Sequence, residues 1–135
     1  MKHKVTMTRR GYFAATGFAA LALSAIGVAD LIRVPAIVQG LTHLGYPAYV
    51  ATILGVWKLL GVAAIVTPGH PRVKEWAYAG LFFVLTGAAV SHFVSGDPVV
   101  NVLVPLVLLG SVMTSWALSG LGGNYGANSA VRYAA

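Results

Sequence analysis

Apolar residues run through this chain in four long blocks, separated by short clusters of proline, glycine and charge. The blocks cover roughly residues 12–32, 48–66, 76–94 and 99–118. At 1.5 Å of rise per residue, each is long enough, or nearly so, to cross the ~30 Å hydrocarbon layer as a helix. None carries a charged face, so none has the pattern of a helix packed on a soluble core. The pattern predicts an all-α protein, a four-transmembrane-helix bundle over residues 1–120. A flexible Gly- and Asn-rich tail is expected over 121–135.

The breaks between blocks have their own chemistry. "TPGHPRVKE" holds two prolines and a glycine, which stop one helix and start the next. "SGDPVV" reads as a stop and a new start, with Asp97 as N-cap and Pro98 at the first helical position. Pro105 lies inside the fourth block, where a missing backbone donor bends a helix. Between the first two blocks, "RVPAIVQGLTHLGYPAY" puts Ile37, Val38, Leu41 and Leu44 on one helical face and Gln39, Thr42 and His43 on another. That spacing predicts a short interfacial helix between the first two spans.

Composition agrees with a lipid environment. Of 135 residues, 58% are hydrophobic and only 9% charged, and the mean hydropathy is +0.80. A soluble domain of this size needs more charge to cover its surface. The absence of cysteine excludes a disulfide framework, a thiolate metal site and a thiol relay within the chain. The four histidines show no metal-ligand spacing. The net charge of +6 forms no stripe along any helix, so nucleic acid is not an expected partner. The charges read instead as topology signals. Lys2, Lys4, Arg9, Arg10, Arg72, Lys74 and Arg132 all fall on one side of an even-numbered bundle, and Arg33 alone falls on the other. Both termini are therefore expected to be cytoplasmic, in a multi-pass membrane protein. "TRRGYF" resembles a twin-arginine export signal, but three further spans follow it, and the first span is expected to be retained.

One cation is left inside the second block, Lys58 in "ILGVWKLLGVAAIV". An embedded lysine costs ~2.5–3.5 kcal/mol on insertion scales, so it needs partners, water or a route to the interface. Asp30 near the end of the first span and His92 near the end of the third fall in the same, outer half. Gly27 precedes Asp30, Gly55 and Gly61 flank Lys58, and Ala88 and Ala89 precede His92. Small residues at this spacing mark faces where membrane helices approach closely. The expectation is a buried Asp30–Lys58–His92 cluster opening toward the outer surface, with Ser91 and Asn101 as supporting donors. The alternatives are that Lys58 snorkels outward, that Asp30 pairs with Arg33 one turn on, and that His92 is a plain interfacial histidine.

The stretch from His43 to Pro98 carries a resemblance. "LGYP", "LGVWKLLG", "PRVKEWAYAG", "GAAVSH" and "GDP" are together similar to the DoxX-like family of small bacterial membrane proteins. The resemblance covers the last three spans well and the first less well, and it implies a four-helix membrane bundle. Relatives often show Gly-x-x-Lys near the end of the first span, whereas this chain has "GVAD", Gly27 to Asp30. An acid stands where a base is common, which would let Asp30 pair directly with Lys58.

The resemblance also implies a functional setting. Such proteins are similar to membrane subunits of quinone-linked oxidoreductases. The expected role is a non-catalytic accessory or anchor subunit, working with a redox partner subunit. Lys58 and His92 would face a quinone carbonyl, with Trp57 nearby. The residues themselves call for no cofactor; quinone enters through the resemblance alone. Two other classes stay open at this point: a small transporter, which would need at least a homo-oligomer to build a pathway from four spans, and a purely structural or assembly role. An enzyme acting alone is not expected.

Overall fold

The computed structural model describes residues 2–121, with side chains from residue 9 onward. Apart from Leu121, the expected tail lies outside the described residues. Among the described residues there are five helices and no strand: α1 (Lys2–Leu31), α2 (Pro35–His43), α3 (Tyr49–Val66), α4 (Pro71–Val94) and α5 (Val99–Leu118). Four of them are long and apolar enough to cross a membrane, over Arg9–Leu31, Tyr49–Val66, Pro71–Val94 and Val99–Leu118. The fourth helix begins five residues earlier than the hydropathy block, because Pro71 occupies its first turn and the charged run after it is helical.

The long helices form a ring. The first packs on α3 and α5, and α4 closes the ring by packing on α3 and α5 in turn. Connections are short, so consecutive long helices alternate in direction. The α1–α3 and α4–α5 connections share one end of the bundle, and the α3–α4 connection lies at the other. The short α2 packs on α3 and α1 at the first of these ends.

The core is one layer thick and lies between the four helices. It contains Ala19, Leu23, Val62, Ile65, Tyr78, Leu81, Leu85, Leu108 and Val112. Larger apolar side chains face outward, among them Leu21, Trp76, Phe83 and Phe93. This inside-out distribution of bulk is expected where hydrocarbon replaces water as the solvent.

Glycine sets the distance between α1 and α3. A Cβ on Gly55 would lie 2.7 Å from the Gly27 carbonyl oxygen and 2.9 Å from the Leu31 nitrogen. Backbone therefore meets backbone at this crossing, and no side chain fits between. Gly55→Ala is expected to lower stability by about 1–3 kcal/mol through overpacking. Gly110→Ala, where a Cβ meets nothing within 4 Å, is expected to be neutral or slightly stabilising, since alanine is the better helix former. Thermal melting of both variants in the same detergent checks the contrast.

Candidate functional site

Three helices at the α2 end close in the same way. The last turn of α4 ends with Gly96 at φ +71°. Its amide donates to the Phe93 carbonyl, and the Asp97 amide donates to the His92 carbonyl, each at 3.1 Å. This is a Schellman closure, with the left-handed residue where glycine fits without strain. The end of α2 repeats it, with Gly45 at φ +87° and the Tyr46 amide on the Leu41 carbonyl. The end of α1 does the same with Arg33 at φ +52°, which for a residue with a Cβ is a strained choice. Each closure turns the chain back over its own last turn. The α4 closure thereby puts the Asp97 side chain beside His92.

Asp97 therefore does not cap α5. Pro98 takes the N-cap position, and no side chain caps it. The carboxylate lies instead between two imidazoles. Its Oδ2 is 2.6 Å from His92 Nδ1 and its Oδ1 is 2.7 Å from His43 Nε2. The clamp joins the end of α2 to the α4–α5 connection. These hydrogen bonds, His92 first and His43 second, hold the Asp97 carboxyl below the usual carboxylate range.

The embedded cation has found a partner. Lys58 Nζ donates to Asp30 Oδ2 at 2.6 Å, and both side chains are buried, at 11% and 4% exposure. The close α1–α3 approach makes this reach short: a Cβ on Gly27 would lie 3.3 Å from Lys58 Cβ. Arg33 turns away from Asp30 and donates from Nε to Thr52 Oγ1 at 3.0 Å. The alternative pairing of Asp30 with Arg33 is thus not the one adopted, because the left-handed turn at Arg33 points its side chain toward α3.

Both polar groups border one cavity of about 450 Å³. Asp30 and Lys58 line it from α1 and α3, and Ser91 and His92 line it from α4. Ile37, Gly40, Leu41 and Leu44 of the α2 segment also line it, and Pro105 and Leu108 complete the wall on α5. Tyr46 adds a further polar group. Ser91 Oγ donates to the Gly87 carbonyl at 2.8 Å, so it accepts from the Tyr46 hydroxyl at 2.8 Å.

The expected cluster is therefore two polar units around one space. Asp30 and Lys58 form an ion pair. His92 belongs to the Asp97 clamp, since the α4 closure supplies a carboxylate nearer than Asp30. Ser91 is at the cavity wall, bonded to Tyr46. Asn101 is exposed and outside the cavity lining. Trp57 is also exposed, at 62%, because it follows Gly55 by half a turn and faces away from the bundle. Among the described residues, no three His, Cys, Asp or Glu side chains are placed to hold a metal; in the clamp, the carboxylate itself sits between the two rings.

Sequence reasoning missed a second polar group, in the other half of the bundle. Ser115, fully buried, lies 2.5 Å from Thr16 Oγ1 and 2.8 Å from the Tyr78 hydroxyl. It links α1, α4 and α5. Hydroxyls are common in membrane helices, and no single one signals its partner in advance. At the end of α3, Lys74 Nζ donates to the Ile65 carbonyl at 3.0 Å, where a cation suits the negative helix end.

Two outcomes follow from this geometry. Lys58→Met or Asp30→Leu alone leaves one buried ion without its partner and is expected to cost about 3–5 kcal/mol. The double variant Asp30→Leu/Lys58→Met is expected to recover most of that loss, read as the melting temperature in detergent. The clamp gives a pH dependence. A carboxyl held below its unfolded value stabilises the fold fully above the ordinary aspartate pKa of about 4, and this contribution fades as pH falls through the depressed value. The stability gap between wild type and Asp97→Asn should therefore be present at neutral pH and close on acidification.

No match is found among curated proteins or among solved structures. The DoxX-like family model matches residues 14–121, which takes in all four long helices, the ion pair and the clamp. This chain is a multi-pass membrane protein that belongs to the DoxX-like family.

Proposed function

We propose that the protein is a non-catalytic accessory or anchor subunit of a quinone-linked redox system in a bacterial inner membrane, with both termini cytoplasmic. In this reading the cavity holds a quinone headgroup. The observation that carries it is the makeup of that cavity: a polar end of Lys58, Asp30, His92, Ser91 and Tyr46 facing otherwise apolar walls. Small-molecule sites have this form, mostly apolar with a few placed polar groups, at volumes of about 300–1,000 Å³.

Donor capacity for a carbonyl ligand is left at Lys58. Lys58 carries three N–H donors and uses one on Asp30. His92 Nδ1 donates to the Asp97 carboxylate, so Nε2 of the neutral ring is an acceptor, suited to the hydroxyl of a reduced quinone. A quinone ring offers two carbonyl acceptors and a flat apolar body, and both features are matched. The chain contains no cysteine, so a thiol relay within it is excluded, and electrons would pass between the bound quinone and a partner subunit. The asymmetric placement of Lys and Arg supports the orientation, with the cavity end facing outward.

The test uses the wild type and Asp30→Leu/Lys58→Met, the variant expected to stay folded. Native mass spectrometry of gently extracted wild type should show a bound quinone or a co-purifying redox subunit. A ubiquinone with a single isoprene unit should bind the double variant about tenfold more weakly, the effect of losing ~1.4 kcal/mol of head contact. Equal binding by both proteins would reduce the ion pair to a structural tie, and wild type that carries neither quinone nor partner and takes up no probe would end the redox reading.

A further inference from the structure

A second concavity lies outside the ring, in the groove between α3 and α4. It has a volume of about 500 Å³ and is almost wholly apolar. Trp57, Leu60 and Gly61 line it from α3, and Trp76, Ala77 and Gly80 line it from α4. Two side chains line both spaces. Leu54 on α3 and Val84 on α4 border the inner cavity and the outer groove alike. Each is half-buried, as a wall with a void on either side must be.

The stripes on the two helices run from one space into the other. On α4, Ala77, Gly80, Val84, Ala88 and Ser91 recur at helical spacing and lead from groove floor to polar end. On α3, Gly61, Lys58 and Leu54 do the same. The groove extends away from the polar end, toward the level of Trp76. From Val84 to Trp76 is about 12 Å by helical rise. A path with polar groups near one membrane surface and hydrocarbon walls running inward has the polarity of an amphiphile lying in one leaflet.

We infer that Leu54 and Val84 form a lateral portal, through which a long-chain amphiphile enters from the bilayer and leaves its hydrocarbon tail in the α3–α4 groove while its head occupies the cavity. The occupant is a lipid-soluble molecule with a hydrogen-bond-accepting head and an extended hydrocarbon tail. This rests on the headgroup reading above and adds the route and the tail site to it. A cavity of about 450 Å³ takes a ring and a short substituent but is overfilled by a tail long enough to span a leaflet. The tail must therefore leave the bundle, and the shared wall is where the structure lets it out. Leaving costs little, because the groove opens on lipid and lipid tails are as apolar as the residues they replace.

The experiment compares two probes with one head: a ubiquinone with a single isoprene unit and its long-tailed homologue. Binding is measured in nanodiscs to wild type, to Leu54→Trp and Val84→Phe, which narrow the portal, and to Leu54→Ala, which widens it. The narrowed variants are expected to weaken binding of the long-tailed probe about tenfold more than binding of the short-tailed probe. Leu54→Ala should take up the long-tailed probe faster than wild type. Long-tailed binding unchanged in both narrowed variants, with the short probe bound normally, overturns the portal and leaves the headgroup site standing. Equal loss of both probes also overturns it, since the two residues would then merely wall the head cavity. If wild type binds neither probe, the headgroup reading falls and the portal falls with it.

Discussion

The Asp30–Lys58 pair is the constraint around which the α2 end of the bundle is built. An ammonium and a carboxylate lie 2.6 Å apart among apolar helices, and neither ion is tolerable there alone. The pair fixes how α1 and α3 slide against each other, because a shift of one residue on either helix would rotate one ion off the shared face. The glycines make the pair affordable in space. With Gly27 and Gly55 facing each other, the two backbones meet and the lysine stem spans a short gap. The pair, the close crossing and the polar end of the cavity are one feature seen at three scales.

The two halves of the bundle solve the polar problem differently. In the half near the α3–α4 connection, Ser115 gathers hydroxyls from Thr16 and Tyr78, and apolar side chains such as Ile65 and Val112 fill the centre without exposure. Interhelical hydrogen bonds of this kind are worth about 0.6 kcal/mol each on average in membranes, so they set register more than stability. In the other half, polar side chains surround open space. The two ends of the bundle therefore differ in kind: packing fills one end, and the other forms a cavity.

Much of this was legible in the sequence, and the failures have physical causes. Hydropathy located the four long helices, since length and apolarity are local properties. The Asp30–Lys58 contact was also readable, because a lone embedded cation must be paired and glycines mark the face where a partner approaches. The partnership of His92 was misjudged because Asp97 has two locally sensible uses. Ahead of a proline it looks like a cap for the next helix. Only the closure at Gly96 shows that its backbone is tied to the preceding helix instead. Trp57 was drawn into the site by nearness in sequence, although on a helix an adjacent residue points about 100° away. The Asn101 placement failed for the same kind of reason, since end-of-span position does not decide which face a residue takes. The Thr16–Tyr78–Ser115 group left no signal, because the pairing of hydroxyls depends on which helices become neighbours.

The open half also bears on what the cavity contains. The cavity is half-open, so its surroundings can enter it, and its walls decide what suits each region. Water suits the end where Lys58, Asp30, Ser91 and His92 gather, since a buried water needs two to four polar partners. It does not suit the walls formed by Leu23, Ile26, Leu41 and Leu108, which offer none. A molecule with one polar and one hydrocarbon end, as proposed above, would satisfy both regions at once, with the bilayer as its reservoir. Under the proposed reading, the same ion pair that fixes the register of α1 on α3 also favours, by its position at one end of an apolar space, an amphiphilic occupant over either water or plain hydrocarbon.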